Sequence, residues 1–256
     1  MFPQPVPGIK RVQALAGYII PRILVLIALG WLPLVTLGQG IYYHDFELWH
    51  EVDARYDPNK HLTLQASYVC RNYGFDQGFK GSYYYAQARQ KLDKHFYVDA
   101  QVRIADSHTR SLFRGEVGIM YRMKLGKDQL TARVAYFNER DHLMPEAHLQ
   151  QPADNYLRAR IRYRLDLPNK FQGYASAEIW DRFGRKGIVL KRWALIGGLD
   201  RAVFPRVHMF LEYMMQQEFD TVGPVLLQAV NIGAGYNFTK RRYTRGKRGN
   251  NGLKDD

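Results

Sequence analysis

The chain has 256 residues, 46 % of them hydrophobic, yet its mean hydropathy is −0.40, so apolar residues are interleaved with polar ones rather than gathered in long runs. A single cysteine, Cys70, excludes an intramolecular disulfide framework. The net charge of +13 sits mostly at the two ends, and residues 39–238 carry 27 basic and 22 acidic side chains. A body so nearly balanced argues against a nucleic-acid surface, and no nucleic-acid partner is expected.

The first element is the one exception to the interleaving. Arg22 precedes an apolar stretch from Ile23 to Leu37, and Thr36 and Gly38 supply a small-residue exit. Residues 1–38 therefore read as a secretory signal peptide, cleaved between Gly38 and Gln39. An uncleaved anchor is the alternative, but Pro21 and Arg22 interrupt any backward extension of the apolar run, and no second spanning run follows.

From residue 43 onward the chain falls into stretches of about ten residues in which every second side chain is apolar, the period of a strand with two different faces. The first sets Phe46, Leu48, Val52, Ala54 and Tyr56 against Glu47, Glu51, Asp53 and Arg55, and the turn "DPNK" ends it. The second opposes Leu62, Leu64, Ala66, Tyr68 and Cys70 to Thr63, Gln65, Ser67 and Arg71. Tyr83 to Leu92 is a less clearly phased third, and clean alternation returns around Val98, Val117 and Val134. The seventh, "YLRARIRYRLDL", places Arg158, Arg160, Arg162 and Arg164 in one row and Ala159, Ile161, Tyr163 and Leu165 in the other. Four further stretches, beginning at Phe171, Leu190, Val207 and Ala229, complete the series.

Strands in such number, with no helical period between them, indicate an all-β chain: a closed antiparallel up-and-down transmembrane β-barrel of ten to twelve strands occupying residues 39–238. Alternation alone does not say which solvent meets the apolar face. Strand length, aromatics such as Tyr56, Tyr121, Tyr136 and Phe238 at strand ends, and the mixed charges opposite favour lipid outside. The expected place is the cell outer membrane and the expected partner its lipid. A secreted soluble barrel with a ligand inside is the alternative. Connections read as alternately short and long. Were the long ones extracellular and the last strand to end in the periplasm, the first recognisable strand would start outside the cell. Either a strand escapes recognition or the loop-length rule fails.

The opening "DFELWHEVDARYDPNKHLTLQASYVCRNY", with Trp49, Glu47 and Glu51, the arginine-rich strand and the pair Glu178 and Trp180 resemble the family called domain of unknown function 2490. That resemblance, spanning about Asp45 to Phe238, implies an outer-membrane barrel and brings no catalytic residues. The chain departs from the pattern by continuing past Phe238 into a tail.

Two readings fit the arginine row. Facing a lumen, it is either a stripe attracting small anionic solutes through a narrow pore, or part of a structural network with inward acids such as Glu47, Glu51, Asp53, Glu178 and Glu212. The tail from residue 239 to 256 reads as a basic, disordered, solvated segment. An enzyme acting through its loops would draw on Ser107, His108, Asp141, His142 and His148. However, adjacent Ser107 and His108 point opposite ways on an extended chain, and no GxSxG, HExxH or phosphate-loop pattern occurs. Neither a catalytic activity nor a metal or cofactor is expected.

Overall fold

The computed structural model describes residues 43–74, 78–107, 111–141, 154–184, 187–219 and 225–239. The signal-peptide segment, the tail beyond Thr239 and the histidines His108, His142 and His148 lie outside the described residues. Eleven strands account for most of the rest: β1 (Tyr43–Tyr56), β2 (Leu62–Tyr73), β3 (Phe79–Lys91), β4 (Phe96–Ser107), β5 (Ser111–Leu125), β6 (Asp128–Asp141), β7 (Asp154–Asp166), β8 (Phe171–Gly184), β9 (Gly187–Ala202), β10 (Val207–Glu218) and β11 (Val225–Asn237). Each pairs antiparallel with the next in sequence, and β1 closes the ring against β11. The fold is an all-β closed up-and-down barrel.

An odd number of alternating strands makes the closing pair parallel, in register from Tyr43 opposite Val225 to Arg55 opposite Asn237. Of the two alternatives raised by the connection lengths, a missed strand finds no support among the described residues, and the loop-length rule is the one that fails. The first strand enters at one rim and the last leaves at the other, with no further strand among the described residues. We call the end that carries the β1–β2, β3–β4, β5–β6, β7–β8 and β9–β10 connections the turn rim, and the opposite end the loop rim.

Local chemistry sets the turns. Asn59 accepts hydrogen bonds from the His61 and Leu62 amides, and Asp93 does the same for His95 and Phe96. Gly126, at φ +66°, supplies the left-handed residue that the tight β5–β6 turn requires. Burial raises the Asp57 carboxyl, but hydrogen bonds from Thr63 and Arg55 outweigh it and hold the group below the usual carboxylate range. The expected contrast in connection length is mostly absent. Pairing continues to Asp106 opposite Ser111 and to Gly184 opposite Gly187, so only residues 142–153 form a markedly long connection. Backbone ladders need no apolar side chains, and the strands extend beyond the apolar belt that made them recognisable.

The belt is on the outside. Val52, Ile119, Val134, Ile161, Leu199 and Leu211 are each at least half or nearly half exposed, and Tyr56, Phe96, Tyr121, Phe204 and Phe238 stand exposed near the turn rim. Glu47, Asp53, Asp99, Glu116, Arg133 and Glu178 are buried. A soluble barrel has the reverse polarity.

The parallel seam makes a direct prediction. In a Cys70→Ser background, cysteine pairs at Val52/Ala234 and at Leu48/Val230 should both form disulfides, because both are register partners. An antiparallel closure cannot satisfy both pairs, so failure of one pair alongside success of the other would contradict this seam.

Candidate functional site: a charge-lined lumen

Eight strands already enclose a space that side chains fill, and sixteen leave an open channel. Eleven lie between, so the inward side chains are long: Arg, Tyr, Trp and Glu. How they reach each other depends on small residues. Gly198 on β9 lies opposite both Tyr174 on β8 and Glu212 on β10. The Tyr174 ring crosses over it, within 2.5 Å of where a Cβ would stand, and donates its hydroxyl to Glu212 at 2.5 Å. Gly235 on β11 likewise separates Asp53 on β1 from His208 on β10, whose Nε2 lies 3.2 Å from the Asp53 carboxylate. Gly118 gives room to Arg133, which reaches Asp99 at 2.5 Å and Glu116 at 2.5 Å. Repeatedly, a small residue on the middle strand lets its two neighbours join across it.

The four ladder arginines face this interior. Alternate residues on a strand are about 7 Å apart, where two like charges repel by roughly 2 kcal/mol at an effective dielectric constant near 20. The structure answers each one differently. Arg158 meets Glu116 at 3.3 Å, reaching past Ala135, and Arg160 meets Glu178 at 3.2 Å. Arg162 lies over the Tyr174 ring, 4.6 Å from its centroid. Arg164 donates to Gln129 Oε1 at 3.1 Å. Among the described residues, only the first two have a carboxylate within ion-pair distance.

All five acids named from the sequence face inward, yet Glu178 alone pairs with the ladder. Glu47 holds Lys80 at 2.6 Å and Arg71 at 3.8 Å, and accepts the Trp49 indole N–H. Glu51 accepts from Tyr85 and Asn231, both at 2.9 Å. Asp53 has His208 and Glu212 has Tyr174. Sequence reasoning missed Glu116 as the partner of Arg158 and the buried group of Asp99, Glu116 and Arg133. Strand phase placed these side chains inward, but only the register across two strands brings them together.

The lumen has two different halves. Near the loop rim Phe137 stacks on Tyr156 at 4.7 Å and meets Trp180 edge-on at 5.3 Å. Arg114 lies over both Phe137 and Trp180, and Arg158 and Arg192 flank the indole. Glu139 and Glu218 pair with Arg114 and Arg192. Phe137 is 0 % exposed and Trp180 7 %, so water does not reach these rings. On β2 and β3, Val69 and Tyr83 are buried too, and Tyr83 also lines the chamber described next. Toward the turn rim lies a chamber of about 430 Å³ with Arg89, Arg103 and Arg162 on its β3, β4 and β7 side. Glu51, Asp53, Asp200 and Glu212 stand on the β1, β9 and β10 side. A second cavity of about 780 Å³ at the turn rim adjoins it at Arg55, Asp200 and His208. Ser107 ends β4 at the opposite rim. Among the described residues no group of acids, histidines or cysteines is arranged to hold a metal.

The apolar exterior, the aromatic ends and the charged lumen give the chain the build of an outer-membrane β-barrel. No family model matches the chain, and neither does any curated protein. Among solved structures it is similar to a bacterial polysaccharide outer membrane secretin, with a TM-score of 0.42 and 8 % identity over 68 % of this chain and 73 % of that one. It is also similar to a loop-deletion mutant of OmpT, an outer membrane protein of Vibrio cholerae, with a TM-score of 0.36 and 8 % identity over 70 % and 94 %. OccK11 of Pseudomonas aeruginosa gives a TM-score of 0.31 at 10 % identity over 63 % and 51 %.

The small-residue bridge can be tested at adjacent glycines. Gly198→Val should displace Tyr174 from Glu212 and lower barrel stability by about 1–3 kcal/mol, as overpacking does. Gly197→Val, on the outer face, should change it by less than about 0.5 kcal/mol. Urea unfolding of the lipid-folded protein reads both, and equal effects would contradict the bridge.

Proposed function

We propose that the chain is an outer-membrane barrel, exported by its N-terminal segment, that works as a closed structural barrel with a charge-lined lumen rather than as an open pore or an enzyme. One observation carries this: the buried cluster formed by Phe137, Tyr156 and Trp180 with their flanking arginines. A conducting path needs continuous water, and side chains this buried narrow the lumen at their level. Membership of the domain of unknown function 2490 family, proposed from the sequence motifs, fits this reading and adds no activity.

Planar bilayers test it. The purified wild-type barrel should insert without steady conductance, and the Phe137→Ala/Trp180→Ala variant, shown folded by its heat-modifiable gel mobility, should open ohmic channels. Steady wild-type channels would favour the narrow anion-attracting pore instead.

A further inference from the structure

The chamber is incompletely neutralised on both sides, and in opposite senses. Arg103 and Arg162 have aromatic faces as partners, at 3.9 Å over Tyr83 and 4.6 Å over Tyr174, and among the described residues no carboxylate within ion-pair distance. Among the described residues the Nε atoms of both are buried without a hydrogen-bond partner. On β1 and β10, Glu51 and Glu212 are held by neutral donors, Tyr85, Asn231 and Tyr174, and among the described residues have no cation within ion-pair distance. Asn231 is 5 % exposed and its Oδ1 is unpartnered as well. The body holds enough acids and bases for mutual pairing, as the groups around Arg133 and Glu47 show. Here Arg103 and Arg162 stand on β4 and β7 and Glu51 and Glu212 on β1 and β10, with Arg55 and His208 beside the acids.

We infer that this chamber is a binding site for a small zwitterion entering from the turn rim, its carboxylate or phosphate turned to Arg103 and Arg162 and its ammonium to Glu51 and Glu212. The inference rests on the barrel reading above and concerns the same lumen. Guanidinium groups stacked on tyrosines are fixed in plane and present a donor edge suited to a planar or tetrahedral anion. The unpartnered Asn231 Oδ1, beside Glu51, adds a neutral acceptor for an ammonium proton. At about 430 Å³ the chamber is at the small end of ligand pockets, which suits a short peptide or amino-acid-sized solute and excludes a polymer. The cavity that adjoins the chamber at Arg55, Asp200 and His208 gives the entry path.

The test uses the full-length barrel folded in detergent, with triglycine as the zwitterion and glutarate and cadaverine as anion-only and cation-only probes, followed by calorimetry. Triglycine should bind at least tenfold tighter than either single-charge probe. Arg162→Gln should weaken triglycine and glutarate about tenfold and spare cadaverine; Glu212→Gln should weaken triglycine and cadaverine and spare glutarate. Glutarate binding as tightly as triglycine, or no triglycine binding by a heat-modifiable, folded barrel, would overturn the zwitterion site. Neither result bears on conductance, so the sealed-lumen reading fails only on its own experiment.

Discussion

The constraint on which the whole structure depends is that one face of every strand is apolar and turned outward. Backbone polar groups are satisfied by closing the ring, and every polar side chain pointing inward must then find its partner inside a tube of eleven strands. A lone carboxylate or guanidinium in such a space costs several kcal/mol, and removing one member of a buried pair typically costs about 3–5 kcal/mol. The interior is therefore organised around partners. Arg133 between Asp99 and Glu116, Lys80 between Asp45 and Glu47, and Arg192 on Glu218 are its local solutions.

Small residues are the geometric counterpart of those charges. Long side chains on next-but-one strands can meet only if the strand between them stays low. Gly118, Gly198 and Gly235 do this for an arginine, a tyrosine and a histidine. The same device explains why the two halves of the lumen differ. Near the loop rim three aromatics converge, and cation–π contacts hold the arginines that share that level. Toward the turn rim arginines and acids line a chamber instead.

Much of this was legible in the alternation of residues. The strands were recognisable because an apolar exterior around a polar interior imposes a strict period of two, and that period also told which side of Glu47, Asp53 or Arg158 would face inward. Strand ends were read too short, since Ala105 to Ser107 and Asp181 to Gly184 pair without an apolar signal. Partners were not legible. Arg158 reaches Glu116 two strands away across Ala135, a neighbour relation set by sheet register and absent from linear spacing. The same holds for Asp53 and His208, which lie far apart in the chain and meet only because β1 and β10 flank Gly235.

The polarity of the barrel is the central claim, and spin labels at Val52, Ile119 and Ile161 in lipid vesicles test it most directly. All three should collide readily with dissolved oxygen and be shielded from a water-soluble nickel complex. Labels that meet the nickel complex freely, or that are immobilised and closed to both reagents, would show the apolar face turned to water or packed inside, and would contradict the account.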